Sequence, residues 1–305
     1  MITPVRKLSE PLAHDDIILI SVLKNAERYL PSFLAHYRSL GVKRFAFVDD
    51  RSNDDTRALL LAAPDADIYE SNVDYRGASG GLVWRDLLVD RYGQDRWYVS
   101  IDCDEYLVFP GSEKRTLMDF IADIESEGLK RALAVMIDIY PDAKLSDAPQ
   151  HRPPDASPTV VCPLYDAEGY TIANEKFCTA IRGGPRRRMF GTDMRMTKFP
   201  VIFVDRKTRF NSGSDHGPLP IQRNYSAVHA VLLHYKFSAD SIKEFRTMYE
   251  WGTHFDGGRF YKEILDHAAF GETMDFRYAQ STAFVDSEKL VAAGFIQDLR
   301  DRPAA

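Results

Sequence analysis

Cysteine is scarce in this 305-residue sequence, occurring only as Cys103, Cys162 and Cys178. These residues are too few and wrongly spaced for a disulfide framework or a zinc site, which points to a reducing compartment and to small core or site-lining roles. A basic excess is also missing. With a formal net charge of -6 there is no positive face for a phosphate backbone, so nucleic acid is excluded as a main partner. Long hydrophobic runs are lacking too: Ile17 to Leu23 is too short to span a bilayer. The basic residues Arg6 and Lys7 are not followed by an apolar stretch with a small-residue cleavage site. The expected location is cytoplasmic, with peripheral contact at the inner face of a membrane. Internal repeats and low-complexity tracts are absent. Hydrophobic residues make up 45% and charged residues 28%, an ordinary globular composition that leaves material for a sizeable core. One domain over 1–305 is expected.

What is present is an alternation of strands and helices. Ile17 to Leu23 reads as a buried strand that delivers Lys24, Asn25 and Glu27 at its carboxyl end. Leu30, Phe33, Leu34 and Tyr37 follow at helical spacing, with Gly41 as the stop. Arg44 to Val48 predicts a second strand running into Asp49 and Asp50, and Ser52 to Thr56 can cap a helix carrying Leu59, Leu60 and Leu61. A short strand near Ile68 and a helix from Gly81 to Tyr92 precede the strand Trp97 to Ile101, which stops at Asp102. A helix near Thr116 to Ile124 and a strand near Leu133 to Ile139 complete the pattern. The fold class is therefore α/β, with a Rossmann-type, mostly parallel central sheet flanked by helices. Ligands on such sheets gather outside the carboxyl ends of the strands, so Asn25, Asp49, Asp50, Asp102 and Asp104 are expected on one rim. Residues 141–163, rich in Pro, Asp, Ala and Ser, read as a long loop. Short strands at Val201 to Val204 and Val228 to Leu233 precede a helical C-terminal segment. Within the single domain the expected divisions are about 15–140, about 141–235 and, as terminal helices, about 236–305.

The strongest chemical feature is Asp102-Cys103-Asp104-Glu105. Two acids one residue apart at a strand end can present a carboxylate to a hard divalent cation whose other positions hold water and a diphosphate. Asp-x-Asp also occurs in ordinary loops, and its meaning here comes from its neighbours. Lys24-Asn25-Ala26-Glu27, Gly41 to Phe45, Asp49-Asp50-Arg51-Ser52-Asn53-Asp54-Asp55-Thr56 and Asp102 to Glu105 follow in an order that resembles glycosyltransferase family 2, in its family 92-like branch. The resemblance covers roughly the first third of the chain. It implies a GT-A-like fold, Asp49 or Asp50 near the donor base or ribose, Asp102 near the ribose, and Asp104 on the metal, manganese or magnesium. Ala26 separates Asn25 from Glu27, so both are carried as donor-facing residues.

The second half extends the resemblance. His234-Tyr235-Lys236, ahead of a helix with Phe245, looks like the strand end that closes the site in this branch. His234 and His216 are the two candidates to complete a metal shell, while Lys198 and Lys236 are expected on the donor phosphates. An inverting transfer needs a carboxylate to take the acceptor proton, and Asp215 and Asp193 are the candidates. Arg186-Arg187-Arg188 reads as a solvated basic loop, or as a contact to a phosphate. Tyr249, Trp251, Phe255, Phe260 and Tyr261 read as core aromatics, or as a sugar-stacking platform. The resulting expectation is a hexosyltransferase moving sugar from a nucleotide-diphosphate donor, UDP-linked by preference, to a glycan or lipid-linked acceptor in surface polysaccharide or glycoconjugate biosynthesis. Two alternatives stay open: a nucleotidyltransferase on sugar phosphates, against which the missing Gly-rich loop after the first strand counts, and a non-catalytic carbohydrate-binding relative.

Overall fold

The computed structural model describes residues 1–211, 215–252 and 258–300. Its thirteen strands are β1 (Ile2–Arg6), β2 (Ile18–Leu23), β3 (Arg44–Asp49), β4 (Ala66–Ser71), β5 (Arg96–Ser100), β6 (Glu105–Val108), β7 (Arg131–Asp138), β8 (Leu164–Asp166), β9 (Thr171–Asn174), β10 (Thr179–Arg182), β11 (Thr197–Val204), β12 (Ala230–His234) and β13 (Ser281–Ala283). Its helices are α1 (Leu30–Ser39), α2 (Thr56–Ala62), α3 (Leu82–Tyr92), α4 (Leu117–Ser126), α5 (Gly184–Phe190), α6 (Ser241–Trp251), α7 (Arg259–Leu265) and α8 (Ser287–Ala292).

Nine strands form one sheet in the order β1-β4-β3-β2-β5-β11-β7-β12-β6. Strands β2, β3, β4, β5, β7 and β12 run in one direction, while β1, β6 and β11 run against them. This is the mostly parallel, helix-flanked α/β sheet expected from the sequence. Both faces are covered, which is why the strands read as unbroken apolar runs. Along β2 the side chains alternate between two cores: Ile18, Ile20 and Val22 pack with Trp84 and Leu88 of α3, whereas Leu19 and Leu23 pack with Phe33 and Tyr37 of α1 and with Phe120 of α4. A third cluster, around Phe237, Phe245, Tyr261, Ile264 and Phe276, joins the C-terminal helices to the sheet end.

Local chemistry fixes the boundaries. Pro31 sits in the first turn of α1, and Gly41 just past its end has φ 91°, which only glycine adopts without strain. Thr116 and Asp119 close a capping box at the start of α4. The long loop at 141–163 holds two single 3₁₀ turns, at Leu145–Asp147 and Pro158–Val160. Its ends are joined, because Tyr140 and Leu164 exchange backbone hydrogen bonds of 2.9 and 3.1 Å. Arg152 ties its middle to α1, donating to the Arg28 carbonyl at 3.2 Å and to Ser32 Oγ at 2.9 Å. The expected basic loop is instead the helix α5. No helix among the described residues is long and apolar enough to cross a membrane. All three cysteines are free thiols.

His36 on α1 carries a pH dependence. Its ring lies between Tyr37 and Tyr106, and Nε2 is 3.0 Å from the Leu107 carbonyl. Burial pushes its imidazole from 6.5 down to about 4, although the carbonyl favours the charged ring. Between those values the unfolded chain binds the extra proton, so stability falls as pH drops through this window. The urea midpoint should fall from pH 7 to pH 5, and His36→Leu should flatten that fall whatever it does to absolute stability.

Candidate active site

A cavity of about 640 Å³ opens at the carboxyl ends of β2, β3, β5 and β12, the rim where the sequence reading placed a ligand. Asn25, Glu27, Asp50, Asp102, Asp104, Lys198, His216, His234 and Lys236 all line it. Asp49, Asp193 and Asp215 do not.

The floor is built by strand register. Glu105 on β6 lies opposite His234 on β12, and His234 lies beside Asp138 on β7. Three polar side chains from three adjacent strands therefore form a row on one face. His234 Nδ1 is 2.6 Å from Asp138 Oδ1, and its Nε2 is 3.2 Å from Asp104 Oδ2. Asp138 is fully buried and is clamped by Arg186 through two bonds of 2.6 Å. Asp138, kept ionised by Arg186 and His234 despite its burial, can only accept, so the His234 Nδ1 proton points to it, although Nδ1 also lies 2.8 Å from Arg186 Nη2. Burial works against the charge on both Asp104 and His234. Mutual attraction wins in each case, with His234 and Lys236 holding the Asp104 carboxyl well below the usual range, and with Asp104 and Asp138 raising the imidazole.

This row fits a divalent cation. Ligand atoms of Asp104, Glu105 and His234 lie within 4.8 Å of one another. An imidazole nitrogen beside carboxylate oxygens suits manganese or a metal of similar hardness. The histidine is oriented by a buried carboxylate behind it, as metal-binding histidines are. His216 takes a different role: its Nδ1 is 2.7 Å from the Thr197 carbonyl, it lies outside the acid cluster, and burial together with Lys198 lowers its imidazole to about 4. Of the two candidate histidines, His234 is the one beside Asp104. Asp138→Asn should weaken manganese binding by about 10- to 100-fold, as loss of a partner behind a metal ligand does, measured by calorimetry on folded protein.

Lys198, almost wholly buried on β11, binds the other acids. Its Nζ is 2.7 Å from Asp102, 2.8 Å from Glu105 and 3.6 Å from Asp215. The three carboxylates outweigh burial and raise its pKa, so the ammonium persists. Asp102 also accepts from Arg85 at 2.7 Å, and these two cations overcome burial to keep it ionised. Lys198 is thus a counter-ion within the floor rather than a free hand for phosphate. Lys236 is the more available lysine, 3.6 Å from Asp104 and 3.2 Å from the Tyr261 hydroxyl.

Several expected roles change. Asp49 is buried, accepting from Ser52 N at 2.9 Å and from Arg57 at 2.6 Å, so it organises the Asp-rich turn while Asp50 faces the cavity. Asn25 and Glu27 reach the rim but also lace the two loops together, through Asn53 at 2.7 Å and the Asp55 N–H at 3.0 Å. Neither proton acceptor expected from sequence lines the cavity. Asp215 is buried behind Lys198, and Asp193, at 68% exposure, faces solvent beside Arg182. Within the basic cluster, Arg186 clamps Asp138, Arg188 binds Asp166 at 2.8 Å, and Arg187 is exposed. Trp251, Phe260 and Tyr261 line the cavity, Tyr249 is exposed, and Phe255 lies outside the described residues.

Sequence reasoning missed Arg85, Asp138, Arg28 and Glu244 as site residues. Asp138 carried a usable signal, since it ends an apolar strand just as Asp102 follows one. Glu244 carried none, being one acid on a helix of mixed polarity.

No family model and no curated protein matches the chain. Solved structures do overlap it at low identity, three of them as follows. One is described as 4-diphosphocytidyl-2C-methyl-D-erythritol synthase, with 13% identity, 63% of this chain, 75% of that one and a TM-score of 0.28. A second is a putative glucose-1-phosphate thymidylyltransferase from Bacillus anthracis, with 10% identity, 62% and 71% coverage and a TM-score of 0.33. The third is an inositol-1-phosphate CTP transferase from T. maritima, with 11% identity, 96% and 99% coverage and a TM-score of 0.28.

Proposed function

We propose that this chain is a metal-dependent transferase acting on a nucleotide-diphosphate substrate. Within that class we assign it as a glycosyltransferase that moves a sugar, from a UDP-linked donor by preference, to a glycan or lipid-linked hydroxyl with inversion. The observation that carries this reading is the row Asp104, His234 and Asp138 beside Lys236, at the sheet rim and in a cavity of about 640 Å³. A divalent cation, when bound there, offsets the charge gathering on a departing nucleoside diphosphate. Asp104 and His234 would hold the cation, Asp138 orients the imidazole through Nδ1, and Lys236 offers a positive charge to a phosphate oxygen. Asp102, fixed by Arg85 and Lys198, presents an acceptor to ribose hydroxyls, and Asp50 does the same on the other side.

A second reading, nucleotidyl transfer to a sugar phosphate, would use the same acids on a nucleoside triphosphate, whose α–β anhydride bond breaks to release pyrophosphate. The cations Lys24, Arg28, Arg195 and Lys243 around the cavity suit a phosphorylated co-substrate. One experiment separates the two. Purified protein is incubated with UDP-glucose, UDP-galactose and GDP-mannose, or with UTP, CTP or dTTP plus glucose-1-phosphate, with and without manganese. Release of nucleoside diphosphate supports sugar transfer, and pyrophosphate supports nucleotidyl transfer. Absence of both products, together with no manganese-dependent nucleotide binding, would overturn the transferase assignment.

A further inference from the structure

The glycosyl reading requires a group that removes the acceptor proton, and the two expected carboxylates face away from the cavity. Each acid lining it from the first half of the chain is committed elsewhere. Asp104 faces His234, Asp102 and Glu105 hold Lys198, Asp50 accepts from Tyr75 N at 3.2 Å and from Arg51 at 3.2 Å, and Asp54 and Glu27 bind backbone N–H groups of the Asp-rich turn. Among the described residues of the second half, only Asp240 and Glu244 contribute carboxylates to the lining. Asp240 is half exposed, at 51%, and Glu244 is mostly enclosed, at 23%.

Glu244 sits in the first turn of α6 and is oriented from one side. Its Oε1 lies 2.6 Å from Arg28 and 3.0 Å from the Tyr29 hydroxyl, while Oε2 has only the Tyr29 hydroxyl, at 3.2 Å. Arg28 is itself fixed between the rings of Tyr29 and Tyr235, at 4.8 and 4.9 Å. The carboxylate is therefore held in place with one oxygen lightly used, on the wall of the cavity that Asp104 and His234 also line. Besides Arg28 and Tyr29, the charged groups around it are Lys236 and Asp240. The first of these is also the lysine beside Asp104.

We propose that Glu244 is the general base, a catalytic residue that receives the acceptor hydroxyl proton on Oε2. This rests on the glycosyl reading. As the proton leaves, the acceptor oxygen forms its bond to the anomeric carbon, the bond from that carbon to the diphosphate oxygen breaks, and the nucleoside diphosphate departs with the electron pair. Burial raises the Glu244 carboxyl despite the nearby Arg28, a direction that suits a proton acceptor better than a fully solvated acid.

The test uses the whole protein with manganese, the donor that turns over in the panel, and a set of p-nitrophenyl glycosides as acceptors. Glu244→Gln should lower kcat by about 10²- to 10⁴-fold while leaving the UDP–manganese dissociation constant within about twofold. Asp240→Asn, which removes the other acid on Arg28, should leave kcat near wild type. If Glu244→Gln keeps kcat, or loses UDP–manganese binding in parallel with kcat, Glu244 is not the base. If wild-type protein turns over no sugar nucleotide at all, the glycosyl reading itself fails, an outcome distinct from an active Glu244→Gln.

Discussion

Lys198→Met should lower the melting temperature by about 5–10 °C, the largest stability change expected for any substitution in the site. The ammonium it removes is buried and neutralises three carboxylates at 2.7, 2.8 and 3.6 Å. Asp102 keeps Arg85, but Glu105 and Asp215 lose their near cation in a region water does not reach. Breaking a buried pair costs about 3–5 kcal/mol, because the stranded charge cannot be rehydrated. For a chain of 305 residues each kcal/mol is worth about 1.5–2 °C. The loss should also depend on pH in a definite direction. Burial already pushes Glu105 up to about 7 with the lysine present, and removing the lysine raises it further. A carboxyl raised on folding stabilises below its unfolded pKa, and that contribution disappears as pH rises through the folded value. The deficit of Lys198→Met relative to wild type should therefore be smaller at pH 5 than at pH 8. Equal deficits in scanning calorimetry at both pH values would show that lost packing, not stranded charge, is the cause.

Asp104→Asn should lower manganese-dependent turnover by about a thousandfold or more. The substitution keeps the shape but removes the anionic ligand opposite His234. Losing a cation's stabilisation of a leaving diphosphate is worth several kcal/mol, and about 4 kcal/mol corresponds to a thousandfold. The side chain is partly accessible, at 18%, so folding should survive. Manganese titration in the absence of any sugar nucleotide reads the same residue independently of turnover. Wild-type manganese affinity in Asp104→Asn would remove it from the metal site.

The first half of the fold, which carries most of the cavity rim, was legible because its strands are buried on two faces. A strand with no polar face, such as β2 or β3, announces itself by composition and ends where its polar residues begin. Strands β9 and β13 are short and largely exposed, and nothing in their sequence separates them from loop. Asp49 and Asp50 show the limit within a correct element. Adjacent residues leaving a strand point to opposite faces, so one of the two had to turn away, and only the partner Arg57 on α2 decides which. Asp138 and His234 are 96 residues apart and meet only through the parallel register of β7 and β12. Proximity of that kind is a property of strand pairing, not of spacing along the chain. The same holds for Asp215: sequence offers a carboxylate near a histidine, and burial behind Lys198 removes it from the cavity.

Because Glu105, His234 and Asp138 meet only when β6, β12 and β7 pair in one alignment, a slip of one residue in any of them would send its side chain to the opposite face of the sheet. If the proposed cation binds at His234, its binding and correct strand pairing would favour one another. A cation that binds only the paired form adds RT ln(1 + [M]/Kd) to stability, about 2.7 kcal/mol at a hundredfold excess over Kd. Manganese concentration would then set how much of the chain survives heating, and a chelator would act on this protein as a mild denaturant.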